Sequence, residues 1–171
     1  FHRIETMPEL KKIRPEAVAQ ALERVERYRL LNQPRVAESI CHDILAVSEN
    51  NQRALIGLLL ALTDQFGPEA KIGVNAALEY VPRLDSEYAQ AYYAGIVWER
   101  HAKSRLNRSY PGSGFDAFDE LSRALELFDR AHDLSPEGDD DAILHWNACS
   151  RVIDSNKLEA RPFEEASVQS E

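Results

Sequence analysis

Apolar residues recur every three or four positions through most of the chain, which is the spacing that places them on one face of an α-helix. No run of alternating apolar and polar residues stands out, and no Asn-Gly or Asp-Gly pair is present to close a hairpin of strands. We therefore predict an all-α protein of seven helices joined by short turns. The predicted helices run from Glu16 to Leu31, from Pro34 to about Glu49, from Gln52 to Phe66, from Glu69 to Val81, from Asp85 or Ser86 to about Leu106, through Ala124 to Leu134, and from Asp139–Asp141 to Asn156.

Two of these helices differ from the others in composition. The third is apolar on nearly all sides, which is typical of a helix covered by several neighbours. The sixth places Ala124, Phe128 and Ala131 on one face and ends before Pro136. Because alanine lets another helix approach closely while Phe128 fills the space beside it, we expect this face to lie against a neighbouring helix.

The sixth helix resembles one half of the tetratricopeptide repeat, in which an Ala-x3-Phe helix is followed by proline. The fifth resembles the other half, because Gly95-Ile-Val-Trp98 matches the Gly-x2-Tyr pattern with tryptophan in place of tyrosine. Over about residues 16–153 the chain resembles tetratricopeptide-repeat proteins, bacterial members among them. The weaker matches in two preceding repeats are Tyr28, Ala37, Gly73, Ala77 and Tyr80.

This resemblance implies a right-handed α-α superhelix of about three helical hairpins, with the seventh helix as a C-terminal cap. Residues 15–156 would form the repeat domain and residues 1–14 an N-terminal extension or docking helix. Residues 157–171 would form a polar, mobile tail. The Gly- and Pro-containing stretch Asn107–Gly114 is interpreted as a long loop inserted in the third hairpin.

The resemblance also implies a function, because the first helix of each hairpin in this family lines a concave face that holds a partner. We expect a non-enzymatic adaptor or scaffold that binds a peptide or protein there. Apolar residues would form the floor, and arginines would bind a carboxylate or a backbone carbonyl. The lining residues implied for this chain are Glu26, Arg29, Arg53, Ile56, Leu60, Thr63, Tyr92, Ile96, Glu99 and Arg100.

A purely structural face is the alternative interpretation of the same residues. Tyr92 would then pack between hairpins, and the arginines would pair with Glu26 or Glu99. Binding of chaperone C-termini is not expected, because Leu22 and Glu26 stand where that subfamily has a lysine and an asparagine.

Two further hypotheses concern self-association and chemistry. A homodimer could form through residues 1–14 or the seventh helix. A metal-binding or enzymatic protein could use His145 and Cys149, four residues apart on one helix, together with Cys41-His42. The chain has no CxxC, HExxH or Gly-x-Ser-x-Gly motif, so we predict no enzyme, no metal and no cofactor.

Charge and cysteine content narrow the expected partners and compartment. The net charge is −9 and the pI about 5.1, so binding to the phosphates of nucleic acid is not expected. No apolar run is long enough to span a membrane. Cys41 and Cys149 lie far apart in sequence and in apolar helical surroundings, which favours free thiols in a reducing compartment, here the cytoplasm.

Overall fold

The computed structural model describes residues 7–67 and 72–163, which form an all-helical fold. No β-strand occurs within these ranges, so the predicted all-α class is confirmed. Two 3-10 helices, Pro15–Ala17 and Val81–Arg83, accompany the α-helices. The α-helices are α1 (Val18–Leu30), α2 (Pro34–Val47), α3 (Gln52–Thr63), α4 (Val74–Leu78), α5 (Glu87–Arg108), α6 (Ser113–Leu134) and α7 (Asp141–Ser155).

Local sequence signals set the starts of α2, α3 and α5. Pro34 is the first residue of α2, where its missing N–H leaves no bond unmade. The Asn51 side chain accepts a hydrogen bond from the Ala54 N–H at the start of α3. Of the two candidate caps for α5, Ser86 is the one that acts: its Oγ accepts from the Ala89 N–H at 3.0 Å.

Helices that follow one another pack together, and the short α4 makes smaller contacts with α3 and α5. The α1–α2, α2–α3, α5–α6 and α6–α7 pairs make the main contacts. A second set of contacts joins α1 to α3, α3 to α5, and α5 to α7. The helices α1, α3, α5 and α7 therefore form one row of neighbours.

Two glycines let these helices approach closely. A Cβ atom at Gly95 would lie 2.7 Å from Cε1 of Phe128, and one at Gly57 would lie 2.9 Å from Cγ1 of Val25. Ala124, Phe128 and Ala131 are all fully buried, as predicted for that face of α6. The Phe128 ring therefore fills the space that Gly95 leaves open on α5.

The predicted fourth helix is shorter than expected. Residues 72 and 73 are not helical, α4 ends at Leu78, and residues 68–71 lie outside the described ranges. Gly73 has an extended backbone, and Pro82 lies in a separate 3-10 turn. A proline has no N–H to continue an α-helical ladder, which accounts for the change of helix type there.

The predicted long loop after α5 is wrong. Helices α5 and α6 extend into the stretch Asn107–Gly114, so the connection is only Ser109–Gly112. Ser109 and Gly112 both have left-handed backbones, with φ of 50° and 83°, which lets the chain reverse within four residues. Leu106 and Ala117 pack in the core on either side of the turn, and this burial favours helix over loop.

The ends of the chain differ in how they contact the helices. Residues 7–14 form no helix, so the docking helix is not present in the described part of the N-terminal extension. Leu158, which follows α7, packs against the α5–α6 core, and Arg161 binds Asp116 at 2.9 Å. The predicted mobile tail beyond residue 163 lies outside the described residues.

Candidate functional site

A cleft of about 390 Å³ opens between α1, α3 and α5. Most of its lining is apolar, and its charged residues lie on α1 and α3. Five of the ten residues expected to line a groove occur here. The lining residues are Leu22, Val25, Glu26, Arg29, Arg53, Ile56, Gly57, Leu60 and Tyr93.

Helical spacing explains how the cleft residues share one face. On α3, Arg53, Ile56 and Leu60 follow one another at intervals of three and four residues, so they point to the same side. Gly57 lies in the same row, and its lack of a side chain lets Val25 of α1 approach α3 closely. Ile56 and Leu60 are half-buried and form the floor of the cleft with Tyr93 of α5.

A second recess of about 430 Å³ continues from the cleft along α1. It shares Glu26 and Arg29 with the cleft and adds Leu30, Asn32 and Asp64. The Leu30 side chain is exposed and gives this outer recess an apolar edge. The two concavities together form one groove along α1.

Asp64, at the end of α3, connects the three helices of the cleft. Its carboxylate accepts hydrogen bonds from Nε and Nη2 of Arg29 at 2.7 and 3.2 Å. It also accepts from Nη1 of Arg100 at 2.7 Å, and that same nitrogen donates to Thr63 Oγ1 at 2.8 Å. Arg29 and Arg100 are thereby held in fixed positions at one end of the groove.

Arg53 is held much less firmly than Arg29. Its Nη2 donates to Glu26 at 3.1 Å, and the two side chains are 59% and 67% exposed. Exposed pairs of this kind contribute little to stability, because water solvates both charges. The pairing with Glu26 is the one foreseen in the structural interpretation, and it leaves Arg53 able to exchange partners.

Three of the expected groove residues lie instead at the interface of α5 with α6 and α7. Ile96 is 4% exposed and packs in the same core as Phe128. The Tyr92 ring lies 6.0 Å from the Phe128 ring and 5.6 Å from the His145 ring. The Glu99 carboxylate lies 2.8 Å from Nδ1 of His145 on α7. The expected floor position of Tyr92 is therefore wrong, and its neighbour Tyr93 lines the cleft.

Two buried carboxylates at this interface each contact two basic side chains. Glu99 lies 3.0 Å from Lys103 Nζ, and burial, which raises the pKa of Glu99, is outweighed by hydrogen bonds from His145 and Lys103 that lower it. Glu120 lies 2.9 Å from His101 Nδ1 and 2.6 Å from Arg105 Nε. The basic residues near the end of α5 are thus engaged within the protein.

The candidate metal ligands do not converge. Cys41 lies in the α1–α3 core with its Sγ close to Gly57, whereas Cys149 lies in the α5–α7 core. Burial raises the pKa of both thiols to about 12, so neither is a thiolate at neutral pH. Within residues 7–67 and 72–163, no group of three or more His, Cys, Asp or Glu side chains is placed to hold a metal ion.

A test for membrane-spanning helices and three comparisons with known proteins complete the description of the chain. Among the helices described, none combines the length and the apolar character that crossing a membrane requires. Comparisons with models of protein families, with curated proteins and with solved structures gave no match.

Proposed function

We propose that the chain is a short array of tetratricopeptide-like helical hairpins that binds a segment of another protein in the cleft between α1, α3 and α5. The side-by-side contacts of α1, α3, α5 and α7 support this arrangement, because first helices of successive hairpins are neighbours in such an array. The contact of Gly95 with Phe128 supports it too, since these residues occupy the two halves of the repeat pattern.

The cleft itself is the observation that carries the proposal. Its volume of about 390 Å³ falls within the range of ligand sites, and it suits one or two large side chains rather than a folded surface. Ile56, Leu60 and Tyr93 supply an apolar floor that gains free energy when a side chain covers it. A floor of this kind supplies affinity, and charged groups at its edge supply selectivity.

The charges around the cleft favour a segment that carries a carboxylate. Arg29, Arg53 and Arg100 face two carboxylates, those of Glu26 and Asp64, so the local charge is positive although the chain carries −9 overall. Arg53 is the most exposed of these cations and has the weakest partner. It is therefore the residue we expect to contact an acidic side chain of the partner.

The chemistry of the cleft favours binding over catalysis. Its charged side chains are guanidinium and carboxylate groups already in ion pairs, and its lining includes no serine, cysteine or histidine. Guanidinium groups remain protonated at any physiological pH and are poor acids and bases. We accordingly keep the prediction of a protein that is not an enzyme.

Selection from a library of short random peptides displayed on phage tests the proposed function. Peptides enriched on the wild-type chain should bind Ile56→Glu at least about tenfold more weakly, because a carboxylate would lie on the apolar floor. Leu144→Glu is the matched control, since Leu144 is an exposed leucine on α7, outside the cleft. Failure to enrich any peptide, or equal binding to Ile56→Glu and wild type, would contradict the proposal.

A further inference from the structure

The N-terminal arm, defined here as residues 7–14, presents apolar side chains that nothing in the described chain covers. Met7 and Leu10 are 89% and 93% exposed, whereas Ile13 packs against the α1–α3 core. The arm has no regular hydrogen-bonded structure, so its backbone groups are available to a partner. A chain segment anchored at one end and apolar at the other is suited to docking elsewhere.

The spacing of the arm's apolar residues fits an extended polyproline II segment. That conformation has three residues per turn, so Met7, Leu10 and Ile13 would lie along one side of it. Arg14, at the base of the arm, has φ of −77° and ψ of 146°, which are polyproline II values. An arm with this preference loses little conformational freedom on binding.

The one carboxylate of the arm, Glu9, is opposite in charge to Arg53, the most exposed cation of the cleft. Glu9 lies between the two exposed apolar residues, next to Leu10, and would meet the guanidinium of Arg53 when Leu10 covers the floor. Lys11 and Lys12 follow and can approach Glu26, the carboxylate that Arg53 would release. With one carboxylate and three cations, the arm is net +2 on a chain of −9, so its net charge attracts it to another copy as a whole, and Glu9 supplies the contact that the positive cleft favours.

We propose that the arm of one copy docks in the cleft of a second copy, with Leu10 on the floor formed by Ile56 and Leu60 and with Glu9 on Arg53. This inference rests on the proposed function, because it names an occupant for the same cleft. The apolar side chains of the arm are exposed beside their own domain. Two copies that exchange arms would bury both arms in a closed dimer.

Sedimentation velocity over a range of concentrations tests the exchange with the full chain. We expect a concentration-dependent dimer whose dissociation constant rises at least about tenfold in Met7→Ser/Leu10→Ser and in Ile56→Glu. The arm variant changes exposed residues and leaves the helices intact. Leu144→Ser removes another exposed leucine, on α7, and should leave the dimer unchanged.

A charge exchange makes the test specific for the contact between Glu9 and Arg53. Glu9→Arg and Arg53→Glu should each weaken the dimer, and the double variant should recover most of the loss. A wild-type chain that stays monomeric at every concentration overturns the inference, as does a dimer that the arm variants do not affect. If displayed peptides still depend on Ile56, the proposed function survives that result; if they do not, both fail.

Discussion

The two sides of α5 carry similar charged groups but differ in how far water reaches them. On the side of the cleft, Asp64 contacts Arg29 and Arg100 with 24% of its side chain exposed. On the side of α6 and α7, Glu99 and Glu120 each contact two basic groups with 4% and 8% exposed. Helices α6 and α7 cover the second side, whereas on the first side the cleft stays open between α5 and its neighbours α1 and α3.

This difference separates a closed interface from an open one. A buried carboxylate that loses a basic partner stays out of water with its charge unbalanced, so the pairs that join α5 to α6 and to α7 have to remain together. An exposed pair such as Glu26 and Arg53 exchanges its contacts with water or a ligand at little cost. The covered side of α5 therefore holds the fold together, and the uncovered side is available for binding.

Truncation of the core on the covered side should have the largest effect on stability. We expect Phe128→Ala to lower the free energy of unfolding by about 3–5 kcal/mol, because the ring is fully buried against Gly95 and leaves a cavity. Leu60→Ala in the half-buried floor of the cleft should lower it by less than about 2 kcal/mol. Urea denaturation measures both, and equal losses would mean that the cleft is as closed as the core.

Phe128 also illustrates how much of the fold can be predicted from the sequence. Its spacing from Ala124 and Ala131 predicts the buried face, and the short turns predict most helix boundaries. The short α4 and the tight turn at Ser109–Gly112 do not follow from the sequence. They depend on which apolar residues find a partner in the folded chain, and local propensity does not determine that.

The candidate site is less predictable than the fold, for geometric reasons. Tyr92 and Tyr93 are adjacent on α5 and point about 100° apart, so a small error in helix orientation exchanges the two. Asp64 joins Arg29 and Arg100 across 35 and 36 positions of sequence, and no local pattern reveals such a contact. Part of the cleft lining can nevertheless be predicted from the sequence, since Arg53, Ile56 and Leu60 lie on one helix face.

Removing a carboxylate charge should destabilise the protein more on the covered side of α5 than on the side of the cleft. Glu120→Gln should lower the free energy of unfolding by about 3 kcal/mol, because it leaves Arg105 and His101 beside a neutral group in a buried setting. Asp64→Asn should lower it by about 1 kcal/mol or less, since Arg29 and Arg100 can be solvated by water. Chemical denaturation in low salt compares the two, and a larger loss for Asp64→Asn would reverse the proposed contrast.

The smallest expected effect is a difference in how acid lowers the free energy of unfolding of wild type and of Glu99→Gln. This difference reports on the charge of Glu99. The folded protein holds the pKa of Glu99 below its usual 4.5, because hydrogen bonds from His145 and Lys103 outweigh the effect of burial. The ionised form therefore stabilises the fold fully above pH 4.5, and this contribution is lost as the pH falls through the lower, folded pKa. We expect the free energy of unfolding of wild type to decrease with falling pH more steeply than that of Glu99→Gln.

The slope with pH separates this effect from the general loss of stability in the variant. Glu99→Gln is less stable wherever wild-type Glu99 is ionised, but it has no carboxylate to titrate, so its curve should be flatter in the acid range. Asp129→Asn, which removes an exposed carboxylate on α6, should keep the wild-type slope. Parallel curves for wild type and Glu99→Gln would show that the contact between α5 and α7 does not depend on the charge of Glu99. The covered side of α5 would then be held by the packing around Phe128, and burial of charge would no longer distinguish it from the cleft.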